Sequence, residues 1–235
     1  SPWVKYQRVL EEDQGGPSTV AFRKDSTFPI VVVKSYLATD SSKVQDVFRT
    51  RHPNIVNVLD AFYEDDTTYI VYEYMTRSIA EVQATPLGKF EEFEIAAICK
   101  EVIEGLLFLH DLDIIHGSFT SSIVLLNREG NVKIANIGES VLISSPISKG
   151  IDIQALGRFI LQLMEPSSIL QQTSTLSLKY PEYWSITSKE FLSQVKSEAL
   201  ISLKNHNFLQ MSPGPACLKP HVLVAERAVR PNWKI

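Results

Sequence analysis

The sequence predicts an α+β fold of two lobes, a small antiparallel β-sheet N-lobe followed by a mainly helical C-lobe. Three observations carry this. Up to Met75 the apolar residues recur in short runs separated by turn-prone clusters, the pattern of strands. Beyond Met75 the period lengthens to that of amphipathic helices, most clearly over residues 90–110. Between two such helices lies an isolated β-hairpin, residues 123–126 and 132–135, folded around Asn127-Arg128-Glu129-Gly130-Asn131. With 235 residues and 44% hydrophobic content, the chain can bury the core this fold needs.

In chain order, Val9-Leu10, Val20-Ala21-Phe22 and Ile30-Val31-Val32-Val33 predict three antiparallel strands, parted by the turns at residues 13–18 and 24–26. Residues 41–51 place Val44, Val47 and Phe48 at helical spacing, which predicts a short helix. A second hairpin turns at Glu64-Asp65-Asp66, a solvated acidic turn, and completes a sheet of five strands with one helix. In the C-lobe, Ile95, Ile98, Val102, Ile103, Leu106, Leu107 and Leu109 share the broad apolar face of a buried helix, with Cys99 read as a small core residue. A second buried helix covers residues 151–165 and stops at Pro166, and two shorter ones are expected over 188–195 and 197–205. The prolines at 213, 215, 220 and 231 predict an extended tail docked on the surface. The domains are therefore read as an N-lobe over 1–75, a C-lobe over 76–210 and a Pro-rich tail over 211–235.

Bulk properties narrow the function. The net charge is −4 with charges mixed along the chain, so no basic stripe marks a nucleic-acid or membrane partner. No apolar run approaches the ~20 residues of a membrane span, and the first residues lack the apolar core of a secretory signal. Cys99 and Cys217 stand far apart without ligand spacing around them, which argues against a zinc site or a disulfide and for a cytoplasmic setting.

Several motifs then fall in order. Val31-Val32-Val33-Lys34, His52-Pro53-Asn54-Ile55-Val56, Tyr72-Glu73-Tyr74-Met75, Phe108-Leu109-His110 followed by Ile115-His116, and Asp152-Ile153-Gln154-Ala155-Leu156-Gly157 together resemble a protein kinase. The wording around Ile95-Ala96-Ala97-Ile98-Cys99 and Asn205-His206-Asn207-Phe208-Leu209 is most similar to the sterile-20-like and p21-activated serine/threonine kinases. The resemblance covers roughly residues 5–210. It implies a two-lobed protein-kinase-like fold with Tyr74 and Met75 at a hinge. It also implies Val20, Val32 and Leu125 around an adenine site, Lys34 as a phosphate contact, and Asp152 as a buried acceptor of catalytic-loop amides. Leu59, His116 and Ile137 match positions of the family's internal spine, and an apolar core between the lobes accounts for these and for the adenine-flanking residues alike.

The departures from the family are as informative. Phosphoryl transfer needs a carboxylate to orient the attacking hydroxyl and metal ions held by Asp and Asn. Ser118 stands at the position of the catalytic Asp, Thr120 at that of the catalytic Lys, Ile123 at that of the Asn ligand and Asn136 at that of the Asp ligand. Gly117 replaces the Arg that pairs with an activation-loop phosphate. In the phosphate-covering loop the three family glycines become Asp13, Gly15 and Ser18, with Pro17 at the tip, and Val32 crowds the adenine roof at a cost of roughly 1–3 kcal/mol. No Glu is found to pair with Lys34, Asp46 being the nearest acid, and only thirteen residues, 139–151, separate Gly138 from Asp152. His116 beside Ser118 suggests a base and nucleophile, but no third group orients it.

These features predict a catalytically inactive kinase homologue, a pseudokinase rather than an enzyme. Its expected work is protein binding as a scaffold, allosteric regulator or decoy. By analogy of fold its partner is an active kinase of the same group or a component of a small-GTPase pathway. No cofactor and no metal are expected. The alternatives are a sensor that takes ATP or another small molecule without metal, through Gly15, Val20, Val32, Lys34, Tyr74, Met75 and Leu125, and an unconventional weak kinase.

Overall fold

Strand-forming alternation produces β1 (Tyr6–Asp13), β2 (Pro17–Arg23), β3 (Ile30–Leu37), β4 (Val58–Glu64) and β5 (Thr67–Glu73), which pair antiparallel in the order β1-β2-β3-β5-β4. The computed structural model describes residues 1–37, 43–143, 148–166, 177–195 and 199–228. Val31 and Val33 face one side of this sheet, in a small cluster with Tyr6, Ala21 and Val71, while Val32 faces the main core. Asp65 and Asp66 both take positive φ at the β4–β5 turn, as the tight hairpin between twisted strands requires. The five strands and the single helix of this lobe agree with the sequence. That helix, α1 (Val44–Phe48), has only five residues, and residues 41 and 42 of the expected span lie outside the described residues.

One N-lobe expectation is corrected. Leu59 is 50% exposed and joins no interior spine. The β4–β5 register shifts between Val58 and Asp60, and such a bulge turns the intervening side chain out of the alternation.

The C-lobe is built on α3 (Glu92–Asp111), whose Ile95, Ile98, Val102, Ile103, Leu106 and Leu109 are fully buried as its periodicity predicts, whereas Leu107 of the same expected face is half-buried at the edge of the core. Against it pack α5 (Gly150–Met164) and the hairpin of β7 (Val124–Leu126) and β8 (Val132–Ile134). Gly130 closes that hairpin at φ +86°, and a side chain there would meet the Pro215 carbonyl at 2.4 Å. Three elements escape the sequence reading. They are β6 (Arg77–Ser78), which pairs with β7; α2 (Ile79–Gln83), opened by a capping box between Ser78 and Glu81; and α4 (Ile137–Leu142), directly after the hairpin. Two short helices, α6 (Ile186–Val195) and α7 (Leu200–Leu203), fall where two were expected, residues 197 and 198 being outside the described residues.

The extended tail is also corrected over its described part, residues 229–235 with Pro231 lying outside the described residues. From Pro215 the chain makes a turn of 3-10 helix and then α8 (Lys219–Ala228). Pro215 and Pro220 occupy first turns, where the missing N–H has no helical partner to lose, so they start helices here instead of preventing them. Buried His221 anchors α8: its Nδ1–H donates to the Leu87 carbonyl at 2.8 Å, and its Nε2 lies 2.8 Å from Glu94 Oε1. Replacing His221 by Leu leaves a buried carboxyl without its partner and should cost about 3 kcal/mol, read as a lowered urea midpoint at unchanged slope.

Candidate functional site

The site lies between the lobes, and its floor hangs from Asp152 in the first turn of α5. This side chain is fully buried. Its Oδ2 accepts the His116 backbone N–H at 2.9 Å and His110 Nε2–H at 2.9 Å, and its Oδ1 accepts the Gly117 N–H at 2.9 Å. Gly117 sits at φ +75°, a backbone that a side chain would strain. Burial pushes the Asp152 carboxyl up, but the His110 side chain and the two amides outweigh it and hold it below the usual range. The role read from the sequence is thus the one seen.

His116 points into this floor, donating Nε2–H to the Ala135 carbonyl at 2.9 Å, and burial lowers its affinity for a proton. Its Nδ1 is buried with no partner. Ser140 Oγ donates to the His116 carbonyl at 2.9 Å, which adds α4 to the same assembly. Ser118 and Thr120 are exposed, whereas Ile123 is buried. A base and nucleophile pair of His116 and Ser118 is therefore not assembled, because one side chain faces inward and the other outward.

Above the floor, Lys34 is 5% exposed and donates to the Gly15 carbonyl at 2.5 Å and to Asn136 Oδ1 at 3.3 Å. Burial pushes its ammonium down to about 8 against the pull of the Asp13 and Glu139 carboxylates. Asp46 does not reach it and pairs with Arg49 on the exposed side of α1. Asn136 takes the left-handed conformation at φ +65°, and its amide donates to Glu139. At the back of the cleft, Tyr72 Oη accepts the Gly138 N–H at 3.2 Å and meets Tyr36 Oη at 3.3 Å.

The phosphate-covering loop lies inside the cleft. Gln14, 4% exposed, turns its side chain inward so that Oε1 accepts the Met75 backbone N–H at 3.3 Å and the amide donates to Glu12 at 3.3 Å. Gly15 rests on the floor, where an added Cβ would stand 2.8 Å from Ala135 Cβ and 3.7 Å from Ile123. What remains among Gln14, Val32, Lys34, Val56, Tyr72 and Leu125 is a cavity of about 10 Å³, room for one water at most. A nucleotide, which needs a pocket of roughly 300 Å³ or more, does not fit this arrangement. Among the described residues no three His, Cys, Asp or Glu side chains gather to hold a metal.

The structure thus brings Val32, Lys34, Leu125 and Asn136 to one cavity, with Met75 behind Gln14 and Gly15 beside Ile123. Val20 is buried in β2 and Tyr74 is half-buried at the hinge, neither of them lining that cavity. Gln14, Tyr36, Tyr72 and Glu139 are the site residues that sequence reasoning missed. Glu139 was within reach, since it is the first acid after Asn136-Ile137-Gly138.

Residues 34–154 match the family model described as protein kinase domain. The chain is similar to Serine/threonine-protein kinase shk1/pak1 of Schizosaccharomyces pombe, 30% identical over 63% of the chain and 24% of that protein. It is also similar to Serine/threonine-protein kinase 1 of Arabidopsis thaliana, 29% identical over 63% of the chain and 19% of that protein. Serine/threonine-protein kinase PAK 1 of Mus musculus is 24% identical over 98% of the chain and 51% of its own length. The chain therefore spans from about a fifth to about half the length of these relatives. The expectation of a non-enzyme is corrected by these findings, because the matched family model and the names of the relatives point to a kinase enzyme.

Two outcomes follow from the geometry. Asp152→Asn turns a carboxamide NH2, itself a donor, toward one of the two backbone N–H groups and should cost about 3 kcal/mol, seen as a melting temperature lower by roughly 6–12 °C. For Lys34 the folded-state value lies below the ordinary lysine value of 10.5, so between pH 8 and 10.5 the unfolded chain binds more protons. Stability therefore rises with pH as the native lysine sheds its proton. Denaturant titrations at pH 7.0 and 9.5 should show wild type gaining on Lys34→Met, and a constant difference would contradict the burial of the charge.

Proposed function

The chain belongs to the protein kinase domain family, and on that premise we propose that it is a signalling domain of the p21-activated and sterile-20 type that works by engaging a protein partner. It serves that partner as a scaffold or allosteric regulator. The observation that supports this reading is the contrast within the catalytic-type loop. Asp152 keeps its backbone in shape through the His116 and Gly117 amides, while Ser118 and Thr120 stand on it facing solvent. A rigid loop with small polar side chains outward is suited to contact another protein. The partner proposed from the relatives is a second serine/threonine kinase or a component of its pathway in the cytoplasm. Serine/threonine phosphorylation comes to this chain from the names of its relatives, and the closed cleft sets it at a low basal level.

The test joins capture with transfer. The chain, immobilised and exposed to a cytoplasmic extract, should retain a serine/threonine kinase, and Ser118→Arg/Thr120→Arg should weaken that retention at least tenfold at unchanged melting temperature. With labelled ATP and Mg²⁺ the isolated chain should transfer phosphate slowly, and Lys34→Ala should abolish it. Retention indifferent to the loop substitutions would overturn the partner reading. Brisk transfer by the isolated chain would overturn the low basal level.

A further inference from the structure

The phosphate-covering loop does more in this molecule than depart from the family's glycine spacing. Between Asp13 and Pro17, the residues that pair across the end of the β1–β2 hairpin, the chain makes a tight turn. Gly15 and Gly16 take φ of +71° and +109°, Gly16 N–H donates to Asp13 Oδ1 at 2.8 Å, and Gln14 N–H donates to the Gly16 carbonyl at 3.1 Å. This turn aims the Gln14 side chain inward, toward the same small cavity that Val32, Tyr72 and Leu125 line. A primary carboxamide presents an acceptor and a donor side by side, as the edge of an adenine ring does. Here the acceptor takes the hinge N–H of Met75 and the donor is held by Glu12.

A second contact seats the turn. The Gly15 carbonyl accepts from Lys34, the side chain that in a nucleotide-loaded kinase reaches phosphate oxygens. Gly16 is packed so that even a Cβ would come within 3.4 Å of the Lys34 ammonium. The hinge donor and the phosphate cation are therefore both engaged by one four-residue stretch of the chain itself.

We propose that Gln14, seated by Gly15 on Lys34, is a built-in occupant of the adenine position that competes with nucleotide for the Met75 amide. Withdrawal of residues 13–16 opens the site to a purine nucleotide, and their return closes it. The affinity of the open form is then reduced by the fraction of molecules in which the loop is out. The inference stands on the geometry of the loop and does not rest on the partner reading above.

The experiment measures ATP and ADP binding, without metal and with Mg²⁺, by calorimetry on four proteins: wild type, Gln14→Ala, Val32→Ala, and Val32→Ala/Gln14→Ala. The Val32→Ala pair removes the crowding of the adenine roof, so that a ring kept out by Val32 does not hide the effect of Gln14. Removal of Gln14 should tighten binding at least tenfold in one background or both, which corresponds to about 1.4 kcal/mol. Hydrogen exchange without ligand supplies an independent readout, since the Met75 amide should be slow in wild type and faster in Gln14→Ala. Equal affinity with and without Gln14 in both backgrounds, including no binding by any of the four, would overturn the proposal. Unchanged exchange at Met75 would overturn it too.

Discussion

The carboxylate of Asp152 is the constraint on which the floor of the cleft depends. It sits in the first turn of α5, fully buried, and gathers the His116 and Gly117 amides together with the His110 side chain at the end of α3. From there the bonds run outward, His116 imidazole to the Ala135 carbonyl at the end of the hairpin and Ser140 to the His116 carbonyl from α4. Two helices, a loop, a hairpin and a short helix are thereby held by one charge. A charge so deep is tolerated because three donors surround it, and this is also why the loop keeps its shape although its outward residues have changed.

Lys34 poses the opposite problem. Among the described residues no carboxylate lies at bonding distance of this buried ammonium, which finds neutral oxygen acceptors and holds its proton less tightly. The Gly15 carbonyl and the Asn136 amide oxygen accept from it, while burial draws its pKa down to about 8. The shortness of α1 and the collapse of the phosphate loop are therefore connected. With only five residues in α1, and its Asp46 turned to Arg49, no acid side chain from that helix reaches Lys34. The acceptor it meets instead is the neutral Gly15 carbonyl of the loop overhead, weaker than a carboxylate, and this bond ties the loop to Lys34.

The strands, the long helices and the two-lobed order were legible in the sequence because each buries a large apolar face, and burial at regular spacing leaves a period. What escaped is local or tertiary. The five residues of α2 and six of α4 are too few for a period to show, although the capping pair of Ser78 and Glu81 was on view. Prolines 215 and 220 read as breakers because the reading took composition without position. Leu59 was misplaced by a bulge, which no alternation rule registers. Gln14 could not be found by pattern at all, since a polar residue in a Gly-Gly-Pro turn is expected in solvent and only the fall of the loop onto Ala135 and Ile123 takes it inside. The four replaced motif positions were read correctly as residues, yet their sum was carried too far, to a non-enzyme, where the relatives point to a kinase enzyme.

A closed cleft and a kinase family are compatible if closure is weak, and its strength can be bounded. Lifting the loop breaks one hydrogen bond between neutral groups, Gln14 to Met75, and one from a cation, Lys34 to Gly15. Such bonds contribute about 0.5–1.5 and 1.5–3 kcal/mol net, so opening costs roughly 2–4.5 kcal/mol. Near the middle of that range, about 3 kcal/mol, the open fraction is on the order of one molecule in a hundred. A ligand present at about a hundred times its dissociation constant from the open form supplies ~2.7 kcal/mol, enough to move such an equilibrium to near balance. The deeper contacts need not change with it. Tyr72 holds the Gly138 amide from the hinge strand, and Asp152 holds the loop below, so the lobes stay joined whether the phosphate loop is in or out. The fold thus separates a stable floor from a loosely held lid, and the lid is the turn of residues 13–16 that carries Gln14 into the cleft.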